Sequence, residues 1–334
     1  MRALTVNSRR VAKWLLYTAA AALLLLLVLI VAVKVALNRV PEYQVQLKNW
    51  VHEQTGLHIR FAAVTPALRW YGPELRFDRL ELRSGDDRMS LAQARSGSVA
   101  VDVWSLLANA RLLAGRIRLD APQLTITRLG PDRFSLGSGV EFGGGHGDLR
   151  NTLRQLPSGR LDIRNARLTL LHWNDTSPTL RFDSVGIALT RGADHVDLAV
   201  DTTMPSQLSG TIRLRLSVAD FKGKDAMNWR ADLRAREVSL PGWHDLLPEY
   251  SNSVQSGIAR VDLQGSGTGA EVFKIDLDLL ARDFRADGNA QPLREVGGVF
   301  DLSRSADRWS LGGRRVRTVS AQGAAPETRF RAEW

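Results

Sequence analysis

The chain has 334 residues, of which 44% are hydrophobic and 24% charged, with a formal charge of +10. Enough apolar residue is present to exclude a disordered chain. The complete lack of cysteine excludes disulfides, thiolate metal sites and a cysteine nucleophile. The basic balance suits an anionic partner, either lipid head groups or nucleic acid. Arginine spread over exposed strand faces accounts for it equally well.

The first element in chain order is a membrane anchor. Residues 14–33 carry no charge, and residues 19–30 read AAAALLLLLVLI. About 20 such residues cross the roughly 30 Å hydrocarbon layer as a helix. Trp14 and Tyr17 mark one interface, and Lys34 can snorkel to the other. The run outlasts the apolar region of a cleaved signal peptide, which is about 7–15 residues. Arg2, Arg9, Arg10 and Lys13 precede it as a compact cluster, so the N-terminus is expected in the cytoplasm. The expected organisation is a cytoplasmic tail over 1–13, a transmembrane helix over 14–37, a juxtamembrane amphipathic helix over 38–56 and a β domain over 57–334. In a two-membrane cell the anchor lies in the inner membrane and the β domain in the periplasm. The juxtamembrane helix rests on Tyr43, Leu47, Trp50 and Val51 at helical spacing, with Gly56 as its cap.

After Gly56 the apolar period changes to two. A pattern of two apolar pairs around a short polar step then recurs four times: Leu75/Phe77 with Leu80/Leu82, Ile117/Leu119 with Leu124/Ile126, Leu161/Ile163 with Leu168/Leu170, and Leu180/Phe182 with Val185/Ile187/Leu189. The interval between the pairs is odd each time. Side chains alternate faces, so an odd interval would turn the second pair outward. The pattern therefore predicts a bulge, bend or tight turn at each polar step. Later strands are expected at 211–218, 231–240, 257–265, 274–284, 298–303 and 309–316. Short helical pieces are expected at 103–113, 148–156 and 242–247, and the glycine-rich residues 137–147 read as a loop. Regular short strands predict a mainly β, antiparallel meander. A sheet of this kind ends on an open edge that invites further chain, either from a longer protein or from a partner.

The sequence carries no recognisable catalytic constellation. The six histidines have no metal-ligand spacing, and there is no P-loop or nucleophile elbow. Asp276 and Asp278 alternate with Ile275, Leu277 and Leu279, which puts them on the polar face of a strand. Arg116, Arg118, Arg164, Arg167, Arg213 and Arg215 are interleaved with aliphatic residues. Single-strand nucleic-acid binders place aromatics there, so no nucleic-acid partner is expected. Neither an enzymatic activity nor a cofactor is expected. The apolar face remains, and it either closes into an ordinary core or stays open as a groove for lipid chains.

The order of these features resembles the AsmA-like proteins, YhdP branch. The residues that carry the likeness are 41–56 (PEYQVQLKNWVHEQTG), 66–83 (PALRWYGPELRFDRLELR), 101–107 (VDVWSLL), 115–128 (GRIRLDAPQLTITR) and 132–136 (DRFSL). The resemblance implies a single-pass inner-membrane protein whose periplasmic part is a curled, open-ended β groove carrying phospholipid to the outer membrane. It points to Leu119, Leu124, Ile126, Leu161, Ile163, Leu168 and Leu170 as groove-lining candidates, acting by shape and hydrophobicity. The alternative is a membrane-anchored scaffold that binds other envelope proteins along its sheet edge. Family members are several times longer, so the chain reads as a fragment or a short relative completed by partners.

Overall fold

The computed structural model describes residues 58–334, except 70–71, 84–89, 102–113, 131–132, 138–139, 144–152, 155–157, 173–178, 224–225, 247–253, 270–271, 287–290 and 306. The expected anchor, the juxtamembrane helix and the helix at 103–113 lie outside these residues. Among the described residues no helix is long and apolar enough to cross a membrane.

Nineteen strands form one sheet. They are β1 (His58–Arg60), β2 (Ala63–Arg69), β3 (Gly72–Arg83), β4 (Ser90–Val101), β5 (Ala114–Asp120), β6 (Gln123–Gly130), β7 (Arg133–Leu136), β8 (Val140–Gly143), β9 (Gly159–Leu171) and β10 (Thr179–Arg191). The remainder are β11 (His195–Thr203), β12 (Thr211–Ala219), β13 (Asn228–Ser239), β14 (Val254–Thr268), β15 (Val272–Ala286), β16 (Leu293–Ser305), β17 (Arg308–Ser320), β18 (Gly323–Ala324) and β19 (Thr328–Glu333). A short helix, α1 (Leu240–Leu246), links β13 to β14 where the sequence predicts one. From β9 to β17 each strand pairs antiparallel with the next, as alternation and turn spacing predict.

Two features correct the expected meander. β5 and β6 both pair parallel with β9, so the sheet is mixed. Parallel neighbours need a crossover of a dozen or more residues. Residues 131–158, between the end of β6 and the start of β9, are long enough to provide it. Within that crossover, residues 140–143, expected in a loop, form β8 against β7. A turn at Gly137, with φ 59°, and the bond from its N–H to Thr125 O (2.7 Å) fix this hairpin.

The four odd intervals resolve as predicted. Arg79 (φ 51°), Ala121 (φ 47°) and Asn165 (φ 52°) leave the extended region at the polar steps of the first three repeats. In the fourth, the pairing with β9 shifts register between Phe182 and Val185. These irregularities line up across neighbouring strands as a seam. Bulges bend strands and increase twist, so an aligned seam curls the sheet as a whole. Glu237, Asp283 and Arg315 repeat the device on β13, β15 and β17.

With the alternation restored, one face is predominantly apolar, with Arg191 and Arg304 as charged exceptions near one rim; we call it the inner face. Three clusters bury parts of it. Ile59, Val64, Phe77, Leu80 and Ala94 form one over β1–β4. Ala166, Leu170, Leu180, Phe182 and Val185 form a second, covered by Met204 and Leu208 from the β11–β12 loop and by Trp243 of α1. Leu153, Val196, Val218 and Phe221 form the third at the opposite rim. The outer face is a lattice of arginine and carboxylate pairs. Examples are Arg236 and Arg260 on Asp262 (both 2.9 Å) and Lys274 on Asp276 (2.8 Å).

An apolar groove as candidate functional site

The register assembles the candidate site. Across fourteen strands one row of inner-face residues runs Val64, Phe77, Gly97, Leu119, Ile163, Ile187, Val200, Leu214, Leu233, Leu263, Leu277, Phe300, Gly313, Phe330. At about 4.8 Å per strand the row extends about 60 Å measured along the sheet. The row beside it, from Pro66 and Leu75 through Leu161, Leu189, Leu216 and Ile275 to Leu311, is apolar too. No charge interrupts either row.

All seven candidate residues lie on this face. The parallel junction brings them together: Leu119 beside Ile163, Leu124 beside Leu168, Ile126 beside Leu170, with Leu161 next along β9. Their surroundings differ. Leu170 is inside a buried cluster, and Ile126, Ile163 and Leu168 pack against it. Leu119 packs against the cluster over β1–β4.

Past β13, among the described residues, only α1 reaches over the sheet, at the Gly257 end of β14. None of the three buried clusters includes a residue of β14–β19. The fully buried hydrophobics of those strands are only Ala259 and Ala281. Leu233, Leu263, Leu277, Phe300, Leu302 and Leu311 remain half-buried on an uncovered sheet. The expected strands contain all six of these residues, but the sequence does not show their burial. Whether a face is covered depends on distant chain, here α1 and the loop after β11, and alternation is blind to it. The ladder ends at β2 and β19, whose outer edges pair with no other strand among the described residues.

One acid–base group with a shifted pKa, Asp162, lies on the outer face. Burial pushes the Asp162 carboxyl up, but hydrogen bonds from Arg160 and Arg116, and the charges of both, outweigh it and hold it below the usual carboxylate range. Two guanidinium partners make it a structural anion. A cleft of about 420 Å³ opens on the outer face along the seam, lined by Arg79, Arg95 and Arg167 among others. It is far more polar than the inner face. Among the described residues no group of three or more His, Asp or Glu could hold a metal ion.

The described residues form a large curled, mixed sheet with one largely apolar face floored by aliphatic ladders and the other lined by charge. The chain belongs to the YhdP protein family, whose match covers residues 1–334. Comparison with curated proteins gave no match, and comparison with solved structures gave none.

Proposed function

We propose that this is a membrane-anchored, periplasmic, non-enzymatic protein that shields phospholipid acyl chains along its inner face and so supports lipid movement to the outer membrane and envelope homeostasis. The uncovered apolar face of β13–β19 carries this reading. Six neighbouring strands give about 24 Å of apolar floor across the sheet. One leaflet of a bilayer is about 15 Å deep, half the roughly 30 Å hydrocarbon layer, so a whole acyl chain can lie there. Each buried methylene contributes about 0.8 kcal/mol, which suits a chain better than any small polar ligand. Family membership and the apolar run at 14–33 support the anchor and the envelope setting.

The test is the lipid content of the purified full chain, read by mass spectrometry beside a variant carrying Leu263→Glu and Leu277→Glu. The expected result is stoichiometric phospholipid in the wild type and its loss in a folded variant. Equal lipid in both would defeat the proposal.

One observation favours a second reading, the scaffold. β19 is exposed along all six residues, and among the described residues its outer edge pairs with no strand. Such an edge accepts a strand from a partner. A scaffold of this kind requires no lipid, so a lipid-free wild type would leave it ahead.

A further inference from the structure

Two arginines abreast on neighbouring strands repel each other unless a carboxylate joins them. On the outer face Arg116 and Arg160 are register partners across the parallel junction, and both bind Asp162. Arg213 and Arg234 are partners on β12 and β13, and Arg234 pairs with Asp232 at 3.2 Å. The seam holds another such pair. Arg79 on β3 and Arg95 on β4 stand opposite each other, between the register pairs Asp78/Ser96 and Leu80/Ala94. Both are exposed, and neither makes an ion pair or side-chain hydrogen bond with a described residue.

Both line the outer-face cleft of about 420 Å³. The three left-handed residues of the seam, Arg79, Ala121 and Asn165, all border it, so the backbone that curls the sheet also walls the cleft. Backbone of that kind collects at ligand sites. One outer-face row crosses the cleft, running Glu81, Gln93, Gln123, Arg167, with Asp183 beside Arg167. Its two carboxylates are engaged, Glu81 by Arg83 at 3.5 Å and Asp183 by Arg167 at 3.6 Å. The carboxylates of the adjoining row, Asp78 and Asp120, do not line it, and Asp120 accepts from Asn165 Nδ2 at 3.4 Å. The cleft therefore holds the positive charge of Arg79 and Arg95 without a protein counter-charge. The Gln123 amide in the same wall makes no side-chain hydrogen bond with a described residue.

We propose that this cleft is an organic-phosphate site: Arg79 and Arg95 hold a phosphate group between their guanidinium forks, and the amides of Gln93 and Gln123 take the hydroxyls of the polyol that carries it. A phosphate accepts two forks at once on different oxygens and removes the repulsion between them. The volume falls in the range of small-molecule sites, about 300–1,000 Å³. The sheet itself separates the cleft from the apolar face, so this site does not rest on the groove reading.

The experiment uses the full chain in amphipol with glycerol 3-phosphate, inorganic phosphate, glycerol and dihexanoylphosphatidylglycerol as probes. Binding is measured by calorimetry, and phenylglyoxal modification of each arginine is mapped by peptide mass spectrometry. Glycerol 3-phosphate is expected to bind, more weakly as salt rises, and to protect Arg79 and Arg95 while leaving the exposed Arg282 reactive. Glycerol should protect neither. Arg79→Gln and Arg95→Gln should each weaken binding roughly ten-fold, the loss of one charge-assisted contact, and Arg282→Gln should not change it. Gln123→Leu should weaken glycerol 3-phosphate but not inorganic phosphate. Protection of the same pair by dihexanoylphosphatidylglycerol would identify a lipid head group as the source, and protection by glycerol 3-phosphate alone a soluble ester. Without ligand at low salt, Arg95→Gln should raise the denaturation midpoint, because it removes one of two opposed charges. A lower midpoint would make the pair structural and overturn the site. So would protection by no probe, equal protection of Arg282, or undiminished binding in the folded Arg79→Gln and Arg95→Gln variants. None of these results alters the lipid test of the inner face.

Discussion

Arg116 on β5 donates from Nε (2.7 Å) and Nη2 (2.5 Å) to one oxygen of Asp162 on β9, across the parallel junction of the sheet. Arg160 takes the other oxygen at 2.8 Å. Asp162 is nearly inaccessible, so deleting it removes the carboxylate that two guanidinium groups share. Asp162→Ala should cost about 2–3 kcal/mol by denaturant unfolding, and Asp162→Asn somewhat less. Combined with Arg116→Met the effects should fall well short of additive.

The same pair gives a pH dependence. A carboxyl held below its unfolded value of about 3.9 contributes stability fully present above that value. The contribution is lost as pH falls through the lowered folded value. Wild type should therefore lose more stability than Asp162→Asn as pH falls below about 4, measured by chemical denaturation at fixed ionic strength.

Asn165 tests the seam. Its φ of 52° is tolerable for asparagine and poor for a β-branched residue. Asn165→Val should destabilise by about 1–2 kcal/mol, while Asn165→Gly should be close to neutral. Equal effects of the two would mean that the backbone there is not what bends the sheet.

Much of this fold was legible because a bulge leaves a mark in sequence. The odd interval between Ile163 and Leu168 has no other resolution that keeps both residues on one face, and Asn165 supplies it. β4 was missed because all but one of its inner positions are small: Ala92, Ala94 and Gly97 precede the single larger residue Val99, too little to show as alternation. At Gly97 even an added Cβ would press on Leu80 (3.0 Å) and Leu119 (3.3 Å), so the neighbours fill the space. β11 and β19 were missed for related reasons, the first reading as mixed Val, Ala and Thr, the second bearing three charges. The parallel junction was illegible, because local pattern fixes a strand but not its partner. The seven candidate residues all fall on the apolar face, several of them within or against a buried cluster; the stretch beyond β13 needed the whole chain to be seen.

Gly210 anchors the loop that covers the second cluster. With φ 78°, an added Cβ would sit 1.9 Å from Arg236 O. The Gly210 carbonyl also accepts a bond from Met204 N–H (2.9 Å). Gly210→Ala should cost about 3 kcal/mol and lift Leu208, read as lost hydrogen-exchange protection over 204–210.

Covered and uncovered leucines should respond differently. Leu170 lies inside a cluster, and Leu170→Ala should cost about 2–4 kcal/mol. Leu277 has solvent on one side, and Leu277→Ala should cost about 1 kcal/mol or less. Thermal melts of the two variants distinguish a groove from a core at each position.

The central claim is that the inner face of β13–β19 meets lipid. The most direct measurement places a photocrosslinking residue in living cells at Leu263 or Leu277, and at Asp262 or Asp278 on the opposite face, and identifies adducts by mass spectrometry. The account predicts phospholipid adducts at Leu263 and Leu277 and none at the aspartate positions. Protein adducts alone at the leucines, or lipid captured equally on both faces, would contradict it.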